Sequence, residues 1–173
     1  TTGCQNNSLG WCSLFTNTTG CDNVGIGSAA LLSSTSACYN TAIGKSAMQA
    51  TTTGNSNVAV GRNALLANTT GDDNVAIGCG ALGANTTGEV NTAVGTASMV
   101  TNTTGFGNTA LGKNSLYTNN GNNNTAIGHE ALELNSSGSC NVAVGRQALE
   151  ANTTASDNTA VGFKSLNANT TGT

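Results

Sequence analysis

The chain has 173 residues and a net charge of -3; charged residues make up 8%, aromatic residues 3%, and Pro is absent. Average globular usage is about 25% charged. The five basic residues are too few to neutralise a phosphate backbone, and the longest apolar run, Ala29 to Leu32, is far short of the ~20 residues of a membrane-spanning helix, so neither nucleic acid nor membrane insertion is expected.

With no secretory leader and no initiating Met, the sequence reads as a mature product or an excised fragment. Thr (28), Asn (26), Gly (23) and Ala (23) together form more than half of it, which would suit a disordered, low-complexity tract. Periodicity overturns that reading. Asn-x-Ala-x-Gly or a close variant starts at Asn6, Asn23, Asn40, Asn57, Asn74, Asn91, Asn108, Asn124, Asn141 and Asn158, with every step 17 except the 16 between Asn108 and Asn124. The short step falls where Asn119-Asn120-Gly121 replaces the usual Asn-Thr-Thr-Gly. Repeats fill residues 1–173 as a single array.

Numbering the leading Asn as position 1, position 4 is always aliphatic (Leu9 through Val161), position 5 always Gly, and position 9 always Leu or Met. Positions 3 and 8 stay small. Seventeen residues are too few for a helix pair, and β-branched residues at positions 2 and 4 favour strand. The expected fold is all-β: a parallel β-solenoid, or β-roll, of about ten 17-residue coils, stacked about 4.8 Å apart into a rod of about 48 Å.

In chain order within each coil, alternation predicts a first strand with positions 2 and 4 inward and 3 outward. A turn follows at positions 5–7. A second strand should point positions 9 and 11 inward and 10 outward, and a longer turn covers 12–17, with Gly supplying dihedrals that a Cβ forbids. Stacking aligns the leading Asn residues into a ladder of ten amides, each donating to one neighbour and accepting from the other. Small residues at the outward position 3 imply close contact with a second chain, and a parallel homotrimer is the expected assembly.

The string Asn-Thr-Ala-Val-Gly, then a small residue with Leu or Met, then Asn-Thr-Thr-Gly (Asn91 to Gly105, Asn158 to Gly172) resembles the repeat of viral tail-fibre and surface-fibre proteins. It is also similar to the shorter head repeat of trimeric autotransporter adhesins. The resemblance covers essentially the whole chain and implies a left-handed parallel β-roll, trimeric assembly and adhesion to host surfaces.

Chemistry-bearing residues are few. His129 is the lone histidine, beside Glu130, and reads as a solvated turn residue rather than a general base; no catalytic residue and no cofactor is expected. Asp72-Asp73 falls short of the oxygens a calcium site needs, and Gly25-Ile26-Gly27 is the repeat's own Gly with a chance neighbour, not a phosphate loop. No metal is expected. Cys4, Cys21 and Cys38 share one position on successive coils, which makes Cys4–Cys21 or Cys21–Cys38 a candidate disulfide and implies an oxidising, extracellular setting. Trp11, Phe15, Tyr39, Phe106, Tyr117 and Phe163 occupy variable positions and are candidate surface contacts for a sugar face or a neighbouring chain. Asn17, Asn68, Asn85, Asn102, Asn135, Asn152 and Asn169 each begin a glycosylation sequon, which the turn motif also spells by itself.

These observations point to a non-enzymatic, extracellular or virion-surface fibre segment that presents variable edge residues to a receptor or glycan. An ice-binding solenoid is the rival, disfavoured by its Thr pair lying in a turn. A subunit of an end-to-end filament is the third reading.

Overall fold

The computed structural model describes residues 2–172. Each repeat contributes one three-residue strand: β1 (Asn7–Leu9), β2 (Val24–Ile26), β3 (Thr41–Ile43), β4 (Val58–Val60), β5 (Val75–Ile77), β6 (Thr92–Val94), β7 (Thr109–Leu111), β8 (Thr125–Ile127), β9 (Val142–Val144) and β10 (Thr159–Val161). They form one parallel sheet in chain order, each residue beside its counterpart one repeat on, as Val58 beside Val75 and Val75 beside Thr92. The architecture is an all-β solenoid. Bonding between coils continues through the turns, for example from Leu65 N to Ala81 O (3.0 Å) and from Thr69 N to Thr86 O (2.9 Å).

The inside and outside of the strand are the reverse of the alternation expected from sequence. Ala42, Ala59, Ala76, Ala93, Ala126 and Ala143 at position 3 are wholly buried, whereas at position 4 Ile77 is 40%, Leu111 48% and Val161 68% exposed. The cause is the width of the coil. Its interior admits one large side chain per turn, Leu or Met from position 9 (Leu31, Met48, Leu65, Leu82, Met99, Leu116, Leu132, Leu149), flanked by Ala or Ser from positions 3 and 8. A Val or Ile at position 3 would overfill it. Smallness at positions 3 and 8 is therefore a demand of the coil's own core and no longer argues for a second chain.

The expected second strand is also absent. After each strand the chain makes two reverse turns in succession, closed in β4's coil by Ala64 N to Gly61 O (3.4 Å) and Asn68 N to Leu65 O (3.3 Å). Three non-glycine residues of that coil take left-handed φ: Asn63 (59°), Leu65 (49°) and Asp73 (56°). Such residues break alternation, so position 11 does not point inward: Ala67 is half-buried and Leu134 is 48% exposed. A left-handed conformation costs roughly 1–2 kcal/mol for a residue with a Cβ. Here burial of Leu65 and the inter-coil bonds offset it. Gly61 has no such freedom to be replaced, because its φ is +136° and a Cβ there would come within 2.6 Å of the Gly78 carbonyl oxygen.

The one short coil keeps register, Thr109 pairing with Thr125. In other coils the position-13 N–H and hydroxyl donate to a backbone carbonyl of the next coil. In the short coil the side chain of Asn120 supplies that acceptor, its Oδ1 taking bonds from Thr103 N (2.8 Å) and Thr103 Oγ1 (2.8 Å). A side-chain amide thus stands in for the missing backbone residue.

Candidate interaction surface

Because position 3 turns inward, positions 2 and 4 turn outward, and zero-offset pairing stacks them into two straight rows. Position 4 is Leu9, Ile26, Ile43, Val60, Ile77, Val94, Leu111, Ile127, Val144 and Val161, without a polar residue in ten coils; all are exposed or half-buried. Position 2 is Val24, Val58, Val75 and Val142 in four coils and Thr41, Thr92, Thr109, Thr125 and Thr159 in five, with Asn7 in the first. Together they make a continuous, largely apolar strip roughly 45 Å long on one parallel sheet. Contiguous apolar strips on a surface mark contact with something else.

The two edges of this strip carry opposite charge. Just after the strand stand Lys45, Arg62, Lys113, Arg146 and Lys164, all the cations of the chain; just before it stand Asp22, Asp72, Asp73, Glu89 and Asp157. Phe163 sits among the cations, with Arg146 Cζ 5.9 Å and Lys164 Nζ 5.7 Å from its ring centroid.

Behind the strip the leading Asn residues form a buried amide column. Asn91 donates from Nδ2 to Asn74 Oδ1 (3.2 Å) and to Gly105 O (2.8 Å), and its own Oδ1 accepts from Asn108 N (3.0 Å) and Asn108 Nδ2 (3.1 Å). Both donors and both lone pairs are used, so hydrogen bonds offset the cost of taking the amide out of water. The same pattern runs from Asn6 through Asn23, Asn40, Asn57, Asn74, Asn91, Asn108, Asn124 and Asn141 to Asn158.

A second amide column, read from sequence only as turn, occupies position 12. Asn85 Nδ2 donates to Asn68 Oδ1 (2.9 Å) and to Gly88 O (2.9 Å), and the links continue through Asn102, Asn119 and Asn135 to Asn152. Five of the sequon residues, Asn68, Asn85, Asn102, Asn135 and Asn152, are thus fully buried with their amide nitrogens donating hydrogen bonds, so a glycan on any of them does not fit the folded coil. Asn17 and Asn169, less buried, donate to Gly20 O (3.0 Å) and Gly172 O (2.9 Å). The column is broken at Ser34 and Thr51, whose buried hydroxyls have no partner.

The remaining residues singled out from sequence are dispersed or differently grouped. Trp11, Phe15, Tyr39, Phe106, Tyr117 and Phe163 are all exposed, but they fall at four different positions of the repeat, so stacking does not align the six in one row. His129 Nδ1 lies 3.2 Å from Glu130 Oε2. Stacking also gathers Glu130, Glu133 and Glu150, a grouping that sequence reading misses although Glu133 and Glu150 are 17 apart. Gln147 Nε2 bridges Glu130 Oε2 (2.9 Å) and Glu150 Oε1 (3.3 Å), and Asn167 Nδ2 donates to Glu150 Oε2. Partial burial, followed by repulsion from Glu130 and Glu150, raises the Glu133 carboxyl above its ordinary range, with His129 opposing. Among cysteines, Cys4 and Cys21 are in contact, with Cys38 next in the row.

Comparison of the chain with family models, curated proteins and solved structures yields no match.

Proposed function

We propose that the chain is a non-enzymatic segment of a surface fibre, outside a cell or on a virion, in which copies associate as a parallel trimer through the outward strand face. The carrying observation is the unbroken row of Leu, Ile and Val at position 4, exposed although the coil closes without it. Burying an aliphatic side chain contributes about 1.5–3 kcal/mol, a gain repeated at each level of a stacked assembly.

Charge at the edges supports a parallel orientation. When copies are arranged around an axis along the rod, the edge after the strand of one chain meets the edge before the strand of its neighbour, which sets Lys and Arg against Asp and Glu. An antiparallel face-to-face pair sets like edges together, a costly arrangement. The exposed rings of Phe15 and Tyr117, at position 10 and off the two strand edges, are left to meet a receptor or glycan.

Light scattering on size-separated protein tests the assembly: the expected mass is three times the 17.0 kDa chain, and a monomer at micromolar concentration contradicts it. The second reading, ice binding, is favoured by one observation that answers the objection from the Thr pair in the turn, since position 2 places five Thr residues outward on the strand face. A monomer showing thermal hysteresis would support that reading instead.

A further inference from the structure

We propose that Cys4 and Cys21 form an intrachain disulfide that staples two neighbouring coils. The row they occupy, position 16, has a defined role in coil stacking, in which the side chain accepts the backbone N–H of the same position one coil earlier. Asn55 Oδ1 accepts from Cys38 N (2.8 Å), Asp72 Oδ1 from Asn55 N (2.6 Å), Ser139 Oγ from Asn122 N (3.0 Å) and Ser156 Oγ from Ser139 N (3.0 Å). In the first coils sulfur takes this place, Cys21 Sγ facing Cys4 N (3.2 Å) and Cys38 Sγ facing Cys21 N (3.1 Å). Sulfur is a weak acceptor, so thiols are a poor choice for that role unless they serve another.

That other service follows from direction. Each side chain in the row reaches toward the coil before it, and Cys4 and Cys21 bring their sulfurs to 2.7 Å. Cys38 Sγ keeps the same backbone contacts, to Cys21 N (3.1 Å) and Ser36 O (3.6 Å), but has no sulfur contact with Cys21 like the one between Cys4 and Cys21. Cys12, Cys79 and Cys140 stand in other rows, where Ala29, Arg62 and Asn123 are among their stacked neighbours.

Oxidation proceeds by exchange with a low-molecular-weight disulfide such as oxidised glutathione. One thiolate attacks it, forming a mixed disulfide and expelling one small thiolate. The second cysteine's thiolate then attacks the protein sulfur of that mixed disulfide, expelling the other. The two protons lost by Cys4 and Cys21 end on the two small thiols, and the reagent's S–S bond is the one reduced. Cys4 is held above the ordinary thiol range, first by its hydrogen bond to Cys21, then by burial and by negative charge at Cys21, Asp22 and Cys38. Exchange should therefore quicken as the solution becomes more alkaline.

The test is mass spectrometry of the full chain after incubation with oxidised glutathione, alkylation and chymotryptic digestion without reduction. Cleavage after Trp11, Phe15 and Leu32 parts the three cysteines. The expected product is one Cys4–Cys21 linked pair, two hydrogens lighter than the free peptides, with Cys12, Cys38, Cys79 and Cys140 alkylated and the same link formed in Cys38→Ala. Six alkylated cysteines, a Cys21–Cys38 link in the unmodified sequence, or a link between chains on a non-reducing gel would overturn it. The intrachain link and the alkylation pattern do not depend on the oligomeric state.

Discussion

The two sides of each strand differ in what they need from the rest of the molecule. Inward, Ala76 and its neighbours Asn74, Leu82 and Asn85 are wholly buried, and the amides of Asn74 and Asn85 are fully engaged within the coil stack. Outward, Val75 and Ile77 come from the same three residues and remain half-buried and exposed. The difference teaches that a coil closes on one Leu or Met and two amides, leaving its largest β-branched side chains unused. A rod meant to stand alone in water has no need of ten successive aliphatic residues on its surface, and the proposed assembly uses that outer face.

Breaking the inner side should have the largest effect. Asn91→Ala leaves the Asn108 N–H unpaired and removes three further hydrogen bonds, although Asn74 Oδ1 keeps Asn91 N and Gly105 O keeps Asn102 Nδ2; at about 1–3 kcal/mol for the unpaired group and about 0.5–1.5 kcal/mol for each other bond, urea denaturation should show a loss of about 3–5 kcal/mol. Leu82→Ala should follow at about 2–5 kcal/mol, because the coil has no other large side chain with which to fill the space. On the outer side Ile77→Ala should change the stability of an isolated chain by only about 0.5 kcal/mol, a contrast that sharpens the distinction between the two faces.

A gain should be obtainable where the second amide column is broken. Ser34→Asn combined with Thr51→Asn restores the donors that neighbouring coils use, and should add about 1 kcal/mol for each hydrogen bond regained, read as a shift in denaturation midpoint at unchanged slope. The smallest effect concerns pH. A carboxyl whose folded pKa is raised favours the folded state only below its unfolded pKa, and that stability is lost as pH rises through the folded value. Glu133→Gln should therefore stabilise modestly at neutral pH, and the gap to the parent chain should close in acid, as thermal melts across pH would show.

Much of the fold is legible in the residues alone. The 17-residue phase of Asn6 to Asn158 announces a stack, invariant Gly at position 5 announces a turn, and Leu or Met at position 9 announces the core. Alternation is what misleads. It assumes extended backbone, and the left-handed φ of Asn63 and Leu65 lies between the strand and position 11; within Val58–Val60 alternation holds, and only the choice of inward face, set by the narrow core, is reversed. With the turns unseen, Ala59 looks like surface and Val60 like core, and the need for a neighbouring chain is argued from the wrong residues. The second amide column hides for a similar reason: Asn68-Thr69-Thr70-Gly71 spells both a turn and a sequon, and only stacking shows that its Asn is buried. The charge-segregated edges are present in the sequence, but they acquire meaning only once the strand between them is known to face outward.

Sedimentation equilibrium on three proteins bears most directly on the central claim that the outward strand face joins copies of the chain. The parent should sediment as a trimer. A double variant on the far side, Thr87→Lys with Thr104→Lys, should do the same, while Ile77→Lys with Val94→Lys on the strand face should sediment as a monomer that keeps its β-sheet circular dichroism. A monomeric parent, or a strand-face variant that remains trimeric, would contradict the account.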